Sequence, residues 1–328
     1  MPPEPYAIGV DLGGTNLKVG LVHRDQGVAK RGRVKTSPEQ GPAAIIDRMA
    51  KAVERARSAL PEGGELVGVG IGAPGAVSLD RRVIVGPPNL PGWDRVDVVA
   101  ELRTRLPDLS QPILVENDAN VAGLGSAFYG AGRPYHSFLM ATLGTGVGGA
   151  ILVNKRLFRG ATGAAGELGH VTIDYEGPYA RSGVAGAVEA YLGQHFLSRH
   201  ARYRLLTRET SLREEAGADL DRISPHLLHM AAQAGDAGAI EVLAWAGHKL
   251  GAALGSAVNL LDIRKIVVGG GVSAAGELLL GPARDALRRF VLPAMQSGLE
   301  LVRETLGNEV ALLGAARLVF EHQDDLVA

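Results

Sequence analysis

Short apolar runs alternate with longer amphipathic ones along this chain. YAIGVD (6–11), LKVGLV (17–22), LVGVGI (66–71), PILVEN (112–117), SFLMATL (137–143), GAILV (149–153) and KIVVGG (265–270) read as strands. Between them, Ile46, Met49, Val53, Ala56 and Leu60 recur at three- and four-residue spacing, the single apolar face of a helix. Residues 240–261, 278–295 and 310–323 show a similar helical pattern. Hairpins mixed with strand–helix alternation predict an α/β fold with mixed sheets. One plan occurs twice. Residues 6–22 and 138–153 each run strand, Gly/Thr turn, strand, which points to a duplicated fold with its ligand between the halves. The junction is expected near Asn117-Asp118, giving an N-terminal lobe of 1–118, with the last helix (about 308–328) packed back on it, and a C-terminal lobe of 119–307. Residues 201–225 are the most charged part and read as a surface helix–loop region.

Composition narrows the chemistry. There are no cysteines, which excludes disulfides, thiolate catalysis and every cysteine-based metal site. A net charge of −1 gives no reason to expect nucleic acid or an anionic membrane as partner. Pro134–Asn154 lacks charge over a length that would span a bilayer, but GTGVGG sits in its middle and breaks any helix. The N-terminus has no signal-peptide pattern. A cytoplasmic protein is expected.

The 45 glycines cluster beside the strands, where they let the backbone approach a ligand. Gly144, Gly146 and Gly149 match a dinucleotide fingerprint in spacing, but a strand follows where a helix would have to start. No P-loop is present. Two hairpin turns remain as phosphate nests: Asp11-Leu12-Gly13-Gly14-Thr15-Asn16 and Leu143-Gly144-Thr145-Gly146. GGGVS (269–273), with Gly270 and Gly271, lies between a strand and a helix and would let adenine and ribose rest on the backbone. Asp11 offers a carboxylate for Mg²⁺ held through water, or a turn cap. Taken alone, Asn117-Asp118 reads as an Asx turn, Glu167 and His170 as a helix-start or ion pair, Lys18 as a solvated strand residue, and Trp93 and Trp245 as core.

In order, DLGGTNLKVGLV, GAPGAV (72–77), ENDANVAG (116–123), residues 144–170 and GGGVS resemble the ROK family of sugar kinases, in the actin/hexokinase ATPase superfamily. The resemblance covers residues 6 to about 273. It implies two ribonuclease H-like lobes with the active site in the cleft between them, a hexose and Mg-ATP as substrates, and a homodimer or homotetramer. It implies Asp118 as catalytic base, with Asn89, Asn117, Asp118, Glu167, His170, Glu189 and the backbone at Gly75 around the sugar. It implies Asp11, Gly13, Gly14, Thr15, Asn16, Thr145, Gly146, Gly270 and Gly271 around the nucleotide, with Asp11 toward Mg²⁺.

In that family the histidine of GELGH is usually one ligand of a structural zinc, completed by three cysteines of a C-x-C-G-x-x-G-C-x-E turn. Here those three positions hold Ala180, Ser182 and Ala187, while Gly183, Gly186, Glu189 and His170 remain. No zinc is expected. Tyr179, Val184 and Val188 are expected to hold the turn by packing, and Tyr175 and Ser182 by hydrogen bonds. Glucose is the leading substrate; N-acetylmannosamine, N-acetylglucosamine or fructose, or polyphosphate as donor, are alternatives. A sugar-responsive repressor is disfavoured, since the first strand starts at Tyr6.

Overall fold

The structure, a computed structural model, describes residues 3–216 and 222–327. It contains β1 (Glu4–Leu12), β2 (Asn16–His23), β3 (Gly27–Lys35), α1 (Gly41–Arg57), β4 (Gly64–Ala73), β5 (Ala76–Val77), β6 (Val83–Val85), β7 (Arg95–Asp97), α2 (Val98–Arg105), β8 (Ile113–Asn117) and α3 (Asp118–Tyr129). There follow β9 (Phe138–Leu143), β10 (Val147–Val153), β11 (Arg156–Leu157), α4 (Glu189–Leu192), α5 (Gln194–Leu205), α6 (Leu212–Ala216), α7 (Pro225–Gln233) and α8 (Ala237–Leu261). The chain closes with β12 (Lys265–Gly269), α9 (Glu277–Phe290), β13 (Glu300–Arg303) and α10 (Val310–Val327).

Two five-stranded sheets repeat one plan. Their orders are β3-β2-β1-β4-β8 and β11-β10-β9-β12-β13, each beginning at an edge strand and running through a hairpin to two parallel strands. The hairpin β1–β2 is in register from Tyr6↔His23 to Leu12↔Leu17. β4 then runs parallel to β1, and β8 parallel to β4. In the second sheet β12 lies parallel to both β9 and β13. The internal echo in the sequence is thus a repeat of topology.

The chain forms two compact units. One comprises Met1–His136, Ala150–Gly166 and Asn308–Ala328, the other Ser137–Gly149 and Glu167–Gly307. The first unit therefore continues past 118 and regains residues 150–166. α3 belongs to it because α3 and α10 meet backbone to backbone. A Cβ on Gly314 would run into the Val121 carbonyl, and one on Gly70 of β4 would run into that of Ala315. In the second unit α8 and α9 use the same device, with Gly247 against the Leu279 carbonyl.

α1 buries Ile45, Ile46, Met49 and Val53 against the first sheet, as its spacing requires. The run 278–295 is shorter as a helix than its pattern, because Leu292 precedes Pro293 and the residue before proline avoids the helical region. β3 (GVAKRGRVK) has no apolar periodicity; it is an exposed edge strand whose basic side chains discourage further pairing. The charged stretch 201–225 holds the end of α5 and all of α6, with 217–221 outside the described residues. Trp93 is core. Among the described residues no helix is long and apolar enough to cross a membrane.

Candidate active site

In the first unit, Asp11↔Gly72 and Ala73↔Asn117 are register partners, so the ends of three adjacent strands, β1, β4 and β8, carry Asp11, the GAPGAV turn and Asn117-Asp118 side by side. Crevices at the carboxyl ends of sheet strands are where α/β proteins place ligands. The turn after β1 is closed by Gly13 N–H to the Asn16 carbonyl (3.0 Å), and Thr36 Oγ1 donates to the Gly13 carbonyl (2.6 Å). Thr15 is left exposed at its tip. Gly14 faces Asn89, whose Cβ would lie 3.1 Å from any Cβ placed there. Asn89 thus stands beside the phosphate-type turn. Lys18 pairs with Asp11, Nζ to Oδ2 at 2.8 Å, and so is a fixed partner of Asp11, not a solvated side chain.

Asn117 and Asp118 begin α3. Asn117 is its N-cap: Oδ1 accepts from the N–H groups of Ala119 (2.9 Å) and Asn120 (3.2 Å). Its Nδ2 donates to the Gly75 carbonyl at 3.1 Å. The helix-capping role of an Asx turn and the place beside Gly75 are therefore both real for Asn117. Gly75 has φ +90°, and its turn packs on Pro87, two residues from Asn89. Asp118 follows as an exposed residue of the helix's first turn, its Oδ1 accepting from Ala119 N–H at 2.8 Å. Behind it lies Glu116, whose side chain is fully buried and faces Arg81 and Arg159.

In the second unit, the turn after β9 is tighter, with Gly144 N–H donating to the Gly146 carbonyl (2.9 Å) and Thr145 exposed. Glu189 closes it from outside: Oε2 accepts from Val147 N–H at 3.1 Å and leaves no room for a side chain on Gly146. At least one oxygen of Glu189 thus braces the Gly144–Gly146 turn. Gly270 (φ +85°) presses on the Leu143 backbone, which joins GGGVS to the same turn, and Ser273 Oγ donates to the Gly270 carbonyl (2.7 Å). Around Gly271 a Cβ would meet nothing within 4 Å, so the backbone there is open to a ligand.

His170 ends a one-turn helix (Leu168–His170). Its Nδ1 lies 3.2 Å from Ser182 Oγ, and its Nε2 lies 3.8 Å from Glu167 Oε2. Ser182, at the middle of the three cysteine-equivalent positions, is thus the group that orients the ring. The turn itself is held by main-chain bonds: Ile173 N–H to Gly186 O (2.9 Å), Gly186 N–H to Pro178 O (2.8 Å) and Val188 N–H to Val171 O (3.0 Å). Tyr191 adds a bond from its hydroxyl to Asp174 Oδ2 (3.0 Å) and packs against His200 and Trp245. Burial, then the bond to Asp174, pushes that hydroxyl up to about 12, so Tyr191 remains a donor. Of the side chains expected to hold the turn, Val188 is buried and Val184 half-buried, but those of Tyr175 and Tyr179 are 83% and 69% exposed, and Tyr179 contributes through a backbone bridge to Ala185. Both tyrosines point out of the loop into solvent, whereas Tyr191 sits on α4 and is buried.

The donor set offers little to zinc. Ala180 and Ala187 are buried methyls, and among the described residues no three His, Cys, Asp or Glu side chains cluster as metal ligands. Three residues of weight went unread in the sequence: Glu116, Arg159 and Tyr191. Glu116 did carry a signal, a carboxylate inside the apolar run PILVEN.

The ROK family model matches residues 7–322. A glucokinase of Thermotoga maritima is 32% identical over 319 residues, covering 97% of this chain and 98% of that protein. The crystal structure of a ROK family glucokinase from Streptomyces griseus in complex with glucose and AMPPNP superposes with a TM-score of 0.82 at 33% identity, covering 96% of this chain and 99% of that one. A xylose repressor of Bacillus spizizenii is 27% identical over 329 residues, 98% of this chain and 79% of that protein. With the mixed α/β architecture above, these matches establish that the chain belongs to the ROK family.

Proposed function

We propose that the protein is a sugar kinase that moves a phosphoryl group from ATP to a hexose hydroxyl, with glucose as the preferred acceptor and Asp118 as general base. The observation that carries the reading is the row of strand ends in the first unit, where a Gly-rich turn with Asp11 lies two strands from an exposed aspartate at a helix start. Phosphoryl transfer needs positioning and charge neutralisation more than covalent chemistry, and a carboxylate near the attacking hydroxyl takes its proton. Asp118 is exposed in the first turn of α3. Asn117, pinned by three hydrogen bonds, holds the Gly75 backbone beside it and has a second amide hydrogen to donate. Asn89, Glu167, His170 and Glu189 supply further polar groups for vicinal hydroxyls, Glu189 with the oxygen not engaged by Val147.

On the nucleotide side, the two turns offer backbone N–H groups with Thr15 and Thr145 exposed at their tips. The residues fit a magnesium nucleotide: Asp11 keeps a carboxylate for a hydrated Mg²⁺, which would neutralise phosphate charge, while Lys18 shares its other side. The reading includes no structural zinc, since Ser182 occupies the histidine's Nδ1, and a homo-oligomer of two or four chains in the cytoplasm.

A coupled assay over a panel of hexoses, run with ATP and with polyphosphate, tests the proposal. Highest kcat/KM for glucose with ATP is expected. Higher values for N-acetylmannosamine, N-acetylglucosamine or fructose would change the acceptor, and polyphosphate dependence the donor. Sugar binding without any turnover would overturn the kinase reading.

A further inference from the structure

We propose that Glu116 and Arg159 are positioning residues for Asp118, forming with Arg81 a buried charge cluster that fixes the loop carrying the base. The inference rests on the kinase reading above. Glu116 is the penultimate residue of β8, and its side chain is fully buried. Its Oε1 accepts from the backbone N–H of Asn117 (2.9 Å) and from Asn120 Nδ2 (3.1 Å). One oxygen therefore grips the chain on both sides of Asp118. Its Oε2 faces two guanidiniums, Arg159 Nε at 2.7 Å and Arg81 Nε at 3.4 Å. Neither approach is aligned as a hydrogen bond, so the attraction at Oε2 is chiefly one of charge.

Arg159 is fixed in turn by its other nitrogens, which donate to the Leu79 (2.8 Å) and Ser78 (3.0 Å) carbonyls. Gly163, four residues on, packs so closely on the Val77 carbonyl that it has no room for a side chain. The segment 159–163 is thus clipped onto the turn after β5, and Arg159 reaches from there into the floor beneath Asp118. Arg81 is anchored as well: its carbonyl accepts from Val115 N–H in β8 (2.9 Å). Three stretches of chain that are far apart in sequence meet at one carboxylate.

A buried carboxylate persists only where its charge is matched and its lone pairs are used. Apolar side chains of similar volume would hold a turn to a strand as firmly as a buried ion pair does. What they would not do is aim an acceptor at the two donors that flank Asp118. Directional anchoring of the base is the property that the charged cluster adds.

The test compares Arg159→Met, Arg159→Lys, Glu116→Gln and Asp118→Asn in the full-length protein, by steady-state kinetics and thermal melting. Misplacing a catalytic group lowers turnover more than binding, so Arg159→Met should cut kcat about tenfold or more while the sugar KM moves less than about threefold. Arg159→Lys should recover part of that loss. Glu116→Gln, close in volume and uncharged, should show the same split and decides the matter if Arg159→Met does not fold. Wild-type kcat in folded Arg159→Met and Glu116→Gln, with Asp118→Asn inactive, overturns this inference alone. Wild-type turnover by Asp118→Asn overturns the base assignment and this inference with it.

Discussion

The turn after β1 carries a carboxylate, Asp11, already paired with Lys18 across the hairpin; the turn after β9 carries no charge and is closed by a side chain from elsewhere, Glu189. The two sheets have the same strand order, yet the first hairpin stabilises its own turn and the second borrows its closure. The contrast continues at the outer parallel strands. After β8 comes a capped helix with an exposed aspartate; after β13 the buried Glu304 turns its carboxylate back on the N–H groups of Thr305 and Leu306. One topology thus provides two sets of strand ends. Local side chains put an exposed carboxylate at one of them and fold the carboxylate of the other back on its own backbone.

The hardest test of this asymmetry is Asp118→Asn. Loss of a general base should lower kcat by a factor of about 10² to 10⁴ in the sugar-dependent ATPase assay, with little change in melting temperature, because the residue is exposed. A smaller loss would mean that the first unit's strand ends are not the chemical half.

The shared device is next. Gly70→Ala pushes a methyl into the Ala315 carbonyl and should cost about 3 kcal/mol in denaturant unfolding, as overpacking does. Gly247→Ala should do the same at the α8–α9 contact of the second unit. Unequal costs would show that only one unit depends on a helix lying directly on backbone.

Borrowed closure is tested by Glu189→Ala. It leaves Val147 N–H without its charged acceptor and also removes the oxygen offered to the sugar, so nucleotide binding should weaken about tenfold by titration calorimetry, in line with the ~1.5–3 kcal/mol of a charged hydrogen bond, and the sugar KM should rise as well. Ser182→Ala is milder. Losing one neutral bond to His170, worth about 1 kcal/mol, should raise the sugar KM about fivefold, and metal analysis should find no stoichiometric zinc in either form.

The last effect is on stability alone and concerns pH. Burial pushes the Glu321 carboxyl on α10 up from 4.5 to about 7, against the pull of Arg317, Arg81 and Arg156. A carboxyl whose folded pKa is raised favours the folded state most below its unfolded value and loses that contribution as pH rises through the folded one. Stability should therefore decline between about pH 4.5 and 7, and Glu321→Gln should flatten that part of the melting-temperature profile.

Much of the fold was legible in residue order. Period-2 and apolar runs named the central strands, and 3.6-periodicity named α1 and the long helix over 240–261, because buried faces leave a pattern. β3 left none, since an edge strand buries neither face fully. The unit boundary was not legible at 118 because α3 is assigned by a helix that arrives from the far end of the chain. In the candidate site, Asn117-Asp118 and the glycine turns stood out by local spacing. Arg159 did not, because a guanidinium looks the same in sequence whether it faces water or Glu116.

The sequence by itself determined which residues can do chemistry here, where the chain must turn, and that no thiolate takes part. Tertiary structure alone decided how those residues are held. Lys18 is committed to Asp11, Glu189 to the Val147 N–H, Ser182 to His170, and Arg159 to Glu116. The reason is physical. Propensity and periodicity are local properties of the chain, whereas an ion pair or a capping bond depends on distances between residues that only the packed sheets bring together.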